Sequence, residues 1–237
     1  MTSTNSTSGG HPLAILGAGV MGETVLSGLL RAGWHADQIV ATDRRLERQL
    51  ELTTRYGIKM LENTEAVAEA ETVILVVKPQ DMSDLLMEIA ESIKPGTLVV
   101  SLAAGIDTTF IESRLPEGVA VVRVMPNTPA QVDEGMAAIS PGSHSTQDHL
   151  DRVTEILSAT GRVITVPEQY QDAVTAISGT GPAYLFFVVE AMIEAGVHLG
   201  LPRDTSTELV VQTMLGSAKL LRETGRASCR ERVCLVV

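Results

Sequence analysis

The sequence is poor in aromatic residues, in positive charge and in cysteine, and each shortage excludes a class of function. Aromatic residues make up 3% of the 237 residues, too few for a platform on which nucleic-acid bases stack. The formal net charge of −11 argues against a phosphate-backbone partner, which requires a basic face. We therefore predict no nucleic-acid partner and expect the important basic residues to act locally, on one small anionic ligand.

Long uncharged apolar runs and a cysteine framework are also missing. Glu190 and Glu194 interrupt the best candidate for a membrane span, residues 184–201, so we expect no membrane partner. Cys229 and Cys234 are the only cysteines; they exclude a disulfide framework for the core and are too few for a metal site. Residues 1–10 are polar and lack an apolar signal segment, which predicts a disordered tail and a cytoplasmic protein.

A glycine motif dominates the N-terminal part of the chain. The apolar run 13–16 leads into Gly17-x-Gly19-x-x-Gly22, and a helical apolar pattern follows. A strand, a glycine turn and a helix in this order are typical of dinucleotide binding. Gly17 allows the tight turn, Gly19 lets a pyrophosphate approach the backbone, and Gly22 lets the helix pack closely. We predict cofactor contacts at Gly17, Gly19, Val20, Met21 and Gly22, at the positive end of this helix.

The second predicted strand ends at Asp43, Arg44 and Arg45, where the adenosine ribose is normally recognised. Asp43 favours a free 2′-hydroxyl and hence NAD, whereas the two arginines favour a 2′-phosphate and hence NADP. The alternative is a solvated helix start in which Arg45, Glu47 and Arg48 face water. We favour NADP as the cofactor.

Strands alternate with helices up to residue 166, which predicts a doubly wound α/β sheet. Ligands of such sheets bind beyond the carboxyl ends of the strands. We therefore expect three strand-end loops to face the cofactor, at Val77, Lys78 and Pro79, at Ala103, Ala104 and Gly105, and at Asn127.

From residue 167 the pattern is helical, with a long helix over 184–199 that is apolar on most of its surface and is therefore expected at a subunit interface. Before it lie Ser178, Gly179, Thr180, Gly181 and Pro182. Their glycine N–H groups, hydroxyls and helix N-terminus could hold a substrate carboxylate. A plain capping turn explains the same spacing equally well.

These segments together resemble pyrroline-5-carboxylate reductases from about residue 11 to residue 225. The resemblance is carried by I-L-G-A-G-V-M-G, V-V-K-P-Q, S-L-A-A-G-I, V-M-P-N-T-P and, most specifically, D-A-V-T-A-I-S-G-T-G-P-A-Y. It implies a Rossmann domain over 11–166, an all-α dimerisation domain over 167–225 and a homodimer or larger homo-oligomer. It also implies hydride transfer from NADPH or NADH to the C=N bond of 1-pyrroline-5-carboxylate, giving L-proline.

By the same resemblance, Ser178 and Thr180 serve catalysis, residues 178–182 and Asn127 hold the substrate, and Asn63 lies near the adenosine ribose. The family continues beyond residue 225 with a Ser-Pro-Gly-Gly-Thr-type loop that contacts substrate from the partner subunit. Residues 226–237 lack it and are expected to be a non-native ending, which would make this chain a nucleotide-binding but inactive fragment. Another alternative is a reductase of the 3-hydroxyacid dehydrogenase type, but residues 184–199 lack the lysine it needs.

Overall fold

The computed structural model describes residues 13–233, with side chains through residue 225. It comprises two compact units, of which the first ends at Thr180 and the second begins at Gly181. The tail predicted over residues 1–10 lies outside the described residues, as do the side chains of the ending predicted over 226–237. The domain boundary expected after residue 166 stays a prediction.

The described residues of the first unit form eight strands and seven α-helices. The strands are β1 (Leu13–Leu16), β2 (Ile39–Thr42), β3 (Lys59–Met60), β4 (Thr72–Leu75), β5 (Leu98–Ser101), β6 (Ala120–Met125), β7 (Gly135–Pro141) and β8 (Gly161–Thr165). The α-helices are α1 (Val20–Arg31), α2 (Leu46–Tyr56), α3 (Asn63–Glu69), α4 (Met82–Ile89), α5 (Thr108–Glu112), α6 (Gln147–Ser158) and α7 (Gln171–Val174). Short 3₁₀ turns connect several of them, and a π-helical turn, Thr175–Gly179, follows α7.

The strands form one sheet in the order β3-β2-β1-β4-β5-β6-β7-β8. Pairing is parallel from β3 to β6, with Leu13 of β1 opposite Ile39 of β2 and Thr72 of β4. Strand order reverses at β1, because β2 lies on one side of it and β4 on the other. The predicted doubly wound α/β fold is confirmed, and the point of reversal is where such sheets bind ligands.

In β1, β2, β4, β5 and β6, alternate residues belong to two separate cores. Leu13 and Ile15 of β1 belong to the core under α1, α2 and α6, whereas Ala14 and Leu16 belong to the core under α3, α4 and α5. Strands that are covered on both faces need apolar residues at every position, and all four residues of β1 are buried. The continuous apolar runs of the sequence therefore follow from a three-layer fold.

The strand β7 runs against β6, while β8 runs parallel to β7. The connection from β6 to β7 contains only a 3₁₀ turn, Thr128–Val132, and so offers no helix to carry the chain back across the sheet. The chain therefore reverses at this edge, and the loop that begins at Asn127 remains close to the start of β7.

The second unit is a pair of helices, α8 (Gly181–His198) and α9 (Arg203–Val233). They approach closely because Gly196 has no side chain: a Cβ there would lie 2.1 Å from Ser206 Oγ. The Ser206 hydroxyl is buried and donates to the carbonyl oxygen of Ile193 at 2.9 Å. Gly225 interrupts α9 with a φ of 73°.

Gly161 offers a test of how closely β7 and β8 approach. Its φ is +152°, and a Cβ at this position would lie 2.1 Å from the carbonyl oxygen of Gly135. We expect Gly161→Ala to lower the free energy of unfolding by about 3 kcal/mol, because backbone strain and the displacement of β7 add. Urea unfolding measures this change.

The matched control is Gly118→Ala. Gly118 also has a positive φ, of +87°, but a Cβ added there would meet no atom within 4 Å. Gly118→Ala should therefore lower the free energy of unfolding by about 1–2 kcal/mol, from backbone strain alone. Equal losses in the two variants would contradict the close approach of β7 and β8.

Candidate cofactor and substrate site

A groove runs along the carboxyl ends of β1, β2 and β4, at the point where strand order reverses. It encloses about 1250 Å³ of space open to solvent. Eight of the predicted cofactor residues line it: Gly17, Gly19, Asp43, Arg44, Arg45, Asn63, Val77 and Lys78. Thr42, Leu61, Glu62, Val76, Asp81 and Leu85 also line it and were not predicted.

The glycine turn has the geometry that the motif predicts. Gly17 has a φ of +97°, and a Cβ there would lie 2.5 Å from the carbonyl oxygen of Val76. A Cβ at Gly22 would lie 2.3 Å from the carbonyl oxygen of Gly17, whereas one at Gly19 would meet no atom within 4 Å. Gly17 and Gly22 are thus required by packing, while the open side of Gly19 leaves room for a ligand.

Asp43 and Arg45 form a pair at the end of β2. Arg45 donates to the Asp43 carboxylate from its backbone N–H at 2.9 Å and from Nε at 3.1 Å. Arg44 is exposed and forms no hydrogen bond or ion pair with any residue in the described part of the chain. The two arginines therefore differ, because Arg45 is bonded to Asp43 whereas Arg44 is available to a ligand.

The pairing with Arg45 favours the charged form of the Asp43 carboxyl. Its burial alone would raise its pKa, but the hydrogen bonds from the Arg45 side chain and backbone, with the charges of Arg45 and Arg48, outweigh that effect. The net result is a pKa of Asp43 below its ordinary value.

Asn63 begins α3 at the rim of the groove, and its side chain is held at both ends. Its Oδ1 accepts the Thr42 hydroxyl at 2.6 Å. Its Nδ2 donates to Glu88 at 3.0 Å. The residue is therefore oriented by β2 and α4, and a bound ribose would have to share or replace one of these partners.

The alternative of a solvated helix start holds for Arg45 and Glu47, which are exposed, but not for Arg48 of α2. Its side chain is only 13% exposed. Nε donates to the carbonyl oxygen of Ala18 in the glycine turn at 2.9 Å, Nη1 donates to Glu51 at 2.8 Å, and Nη2 donates to Glu23 of α1. All three nitrogens of the guanidinium are engaged.

Glu23 is the centre of this charged cluster. Besides Arg48, it accepts from Arg55 at 2.9 Å and from the Tyr56 hydroxyl at 2.7 Å. Burial would raise the pKa of Glu23, but the hydrogen bonds from Arg48 and Tyr56 and the charges of Arg48 and Arg55 lower it overall. The carboxylate thus remains an anion that holds α2 against α1.

The other predicted cofactor residues lie beside the groove or apart from it. Val20, Met21 and Gly22 open α1, and Pro79 opens a 3₁₀ turn directly after Lys78. The loop after β5 buries Ala103, exposes Ala104 and turns at Gly105, and none of these three residues lines the groove.

Asn127 connects the start of β7 to the π-helical turn Thr175–Gly179. Its Oδ1 accepts the backbone N–H of Met136 at 2.8 Å, and its Nδ2 lies 3.3 Å from the carbonyl oxygen and 3.4 Å from the hydroxyl of Ser178. The Asn127 amide thereby positions Ser178, one of the predicted substrate residues. A Cβ at Gly179 would lie 2.4 Å from Met125 Cε, so β6 also contacts this turn.

Ser178 and Gly179 lie in the π-helical turn, rather than in the open loop that the glycines suggested. The backbone N–H of Thr180 donates to the carbonyl oxygen of Thr175 at 2.8 Å, and the Thr180 hydroxyl lies 3.0 Å from the same oxygen. Both donors of Thr180 are thus already used. Gly181 and Pro182 are the first residues of α8 in the second unit.

The helices of the second unit leave a large apolar surface uncovered. On α8, Tyr184, Phe186 and Phe187 are 57%, 64% and 76% exposed. On α9, Leu209, Val211, Leu215 and Leu221 are also about half exposed. Many exposed apolar side chains on one pair of helices are typical of an interaction surface.

One helical segment, Glu168–His198, is long and apolar enough to span a membrane on the criteria of length and composition alone. A single segment of this kind is weak evidence, since a helix that is apolar all round also occurs at subunit contacts. Within the described residues, no group of three or more His, Cys, Asp or Glu side chains could hold a metal ion.

Two protein-family models match the chain. The model for pyrroline-5-carboxylate reductase dimerisation covers residues 168–235. A model for NADP oxidoreductases described as coenzyme F420-dependent covers residues 12–105. The first match includes both helices of the second unit, and the second includes the glycine turn and the groove.

Individual relatives agree with these models. Pyrroline-5-carboxylate reductase from Corynebacterium melassecola is 44% identical over 218 residues, which is 90% of this chain and 81% of the relative. A solved pyrroline-5-carboxylate reductase from Coxiella burnetii has a TM-score of 0.89 at 30% identity, covering 97% of this chain and 86% of its own. The Plasmodium falciparum enzyme, solved with NADP bound, has a TM-score of 0.84 at 26% identity, covering 95% and 83%.

Proposed function

The chain belongs to the pyrroline-5-carboxylate reductase family, and from this premise we propose that it reduces 1-pyrroline-5-carboxylate to L-proline with NADPH. The observation that supports the proposal is the groove at the point where strand order reverses. The glycine turn lines this groove, and so do the residues predicted to recognise the adenosine ribose: Asp43, Arg44, Arg45 and Asn63. Its position is the one at which doubly wound sheets bind dinucleotides.

The residues present fit a dinucleotide. Gly19 leaves an open approach for the pyrophosphate, the N-terminus of α1 offers unpaired backbone N–H groups, and Arg44 supplies a cation at the far end of the groove. When bound, the reduced nicotinamide supplies a hydride to the C=N carbon of the substrate.

The reaction requires little acid catalysis from the protein. A cyclic imine protonates readily, so the nitrogen carries its proton before the hydride arrives, and the C=N electron pair then neutralises that nitrogen. No negative charge develops, unlike in carbonyl reduction, where an alkoxide must be stabilised. The absence of a lysine or histidine from residues 178–182 is consistent with this chemistry.

Ser178 is the residue that we assign to the substrate carboxylate. Its hydroxyl oxygen lies 3.4 Å from the Asn127 amide as an acceptor, so its own proton can be donated to a carboxylate oxygen. Thr180 is a weaker candidate because its hydroxyl already bonds to the carbonyl oxygen of Thr175. Gly179, which lies beside Ser178 in the π-helical turn, is the backbone candidate for the same anion. The roles predicted for Gly181 and Pro182 stay predictions.

We assign the preference for NADPH over NADH to the end of β2. The Asp43 carboxylate already accepts three hydrogen bonds from Arg45, so a ribose 2′-hydroxyl would have to compete with Arg45 for it. Arg44 is unpaired among the described residues and lines the groove, where its guanidinium suits a 2′-phosphate.

We further propose a homodimer formed through α8 and α9, and a cytoplasmic location. The family model for dimerisation covers both helices, and their exposed aromatic residues supply the apolar area that an obligate interface needs. Two cysteines in 237 residues suit a reducing compartment.

The assay that tests the reaction mixes the purified chain with NADPH and 1-pyrroline-5-carboxylate. We expect loss of the reduced-nicotinamide absorbance to match proline formed, mole for mole. As control, the chain is incubated with NADP⁺ and a 3-hydroxyacid, and formation of NADPH is followed. Nucleotide binding without proline formation would contradict the proposed reaction, and turnover of the 3-hydroxyacid would favour the dehydrogenase relatives.

Cofactor preference is tested by Arg44→Ala. We expect the KM for NADPH to rise about tenfold, since a charge-assisted contact to the 2′-phosphate is lost, while the KM for NADH stays within about twofold. The control, Arg152→Ala, removes a cation from α6 and should change neither value. An equal rise for both nucleotides would contradict a 2′-phosphate role for Arg44.

Assembly is tested by Phe187→Glu on α8. A carboxylate at this exposed apolar position should raise the dimer dissociation constant about a hundredfold or more, because it forfeits an apolar contact and must be desolvated. Sedimentation over a concentration series measures this change. The control is Met87→Glu, at a position 65% exposed on α4; if Met87→Glu dissociates the protein and Phe187→Glu does not, the interface lies on the first unit.

A further inference from the structure

Arg48 connects three parts of the first unit from one side chain. It lies on α2, it bonds to Glu23 on α1, and its Nε donates to the carbonyl oxygen of Ala18 inside the glycine turn at 2.9 Å. A guanidinium presents its donors in a rigid fork. The position of Nε is therefore fixed once Glu23 and Glu51 hold the two terminal nitrogens.

The Ala18 carbonyl belongs to the same peptide unit as the Gly19 N–H. No described peptide bond is cis, and in a planar trans peptide the C=O and the following N–H point in opposite directions. Holding the Ala18 oxygen toward Arg48 consequently directs the Gly19 N–H away from α2. The preceding peptide is fixed as well, because the Ala18 N–H donates to the carbonyl oxygen of Thr42 at 2.9 Å.

Gly19 lines the groove, and its Cα faces open space. Glycine has the widest range of backbone conformations, so a turn of this composition does not hold its own peptide planes in one orientation. The protein supplies the missing constraint from outside the turn, through Thr42 on one side and Arg48 on the other.

We propose that Arg48 is a positioning residue for the cofactor: it orients the Ala18–Gly19 peptide so that the Gly19 N–H can donate to the pyrophosphate. This inference depends on the proposed use of the groove for NADPH. Arg48 does not itself reach the ligand, since its nitrogens are occupied by Ala18, Glu51 and Glu23.

The test compares Arg48→Met with Arg55→Met. Both changes remove one cation of α2 that bonds to Glu23, but Arg55 is 61% exposed and has no bond to Ala18. We expect the Kd and KM for NADPH to rise about tenfold in Arg48→Met, with kcat at saturating NADPH within about twofold. Arg55→Met should bind NADPH like the unchanged chain.

A nucleotide fragment separates positioning from general damage to α2. Adenosine 2′-monophosphate carries the adenosine and the 2′-phosphate but no pyrophosphate, so its inhibition constant should be the same in Arg48→Met as in the unchanged chain. An equal loss of affinity for the fragment and for NADPH would overturn the inference, as would unchanged NADPH affinity in Arg48→Met.

Arg48→Lys keeps the positive charge, and it replaces Arg48→Met in the same measurements if Arg48→Met does not fold. A single ammonium lacks the fork that holds Glu23 and Ala18 together, so we expect NADPH affinity to fall at least about threefold, with the fragment unaffected. Full NADPH affinity in Arg48→Lys would overturn the inference. Failure of the unchanged chain to bind NADPH would instead refute the proposed cofactor site.

Discussion

The contact between Gly17 and Val76 is the constraint on which the cofactor side of this molecule depends. The carbonyl oxygen of Val76 occupies the space in which a side chain at Gly17 would lie. Because Gly17 follows β1 and Val76 follows β4, this contact brings the loops after these two strands together at the point where strand order reverses. The groove, the turn and the start of α1 then follow from one contact that glycine alone permits.

Around that contact, the protein fixes flexible segments by side chains from distant elements. Arg48 reaches the glycine turn from α2, and Asn127 joins the π-helical turn to the start of β7 through its amide. Asp43 is similarly held by Arg45. Each of these side chains uses hydrogen bonds within the protein, whereas Arg44 and Gly19 are among the groups that stay open to a ligand. Preorganisation of this kind reduces the cost of ordering the site on binding.

The sequence predicted the sheet and most of the groove, since both depend on local patterns. The run Leu13–Leu16 and the spacing of Gly17, Gly19 and Gly22 are sufficient to indicate a strand, a turn and a helix. A strand of two residues such as β3 has no periodicity to detect. The direction of β7 and the partner of Arg48 depend on contacts across the fold, and Ala18 presents a backbone oxygen that no side-chain pattern reveals. The π-helical turn at Ser178 could not be predicted either, because it also depends on contacts across the fold.

The exposure of Tyr184, Phe186 and Phe187 on α8 has a consequence for biosynthesis. A chain made from its N-terminus completes the sheet unit before α8 has emerged, so the early part can fold while the late part still lacks anything to cover it. Until another surface covers them, those rings are available to any apolar surface in the cell. If α8 pairs between copies as proposed, overproduction raises the concentration of chains whose rings are still uncovered, and with it the risk of aggregation.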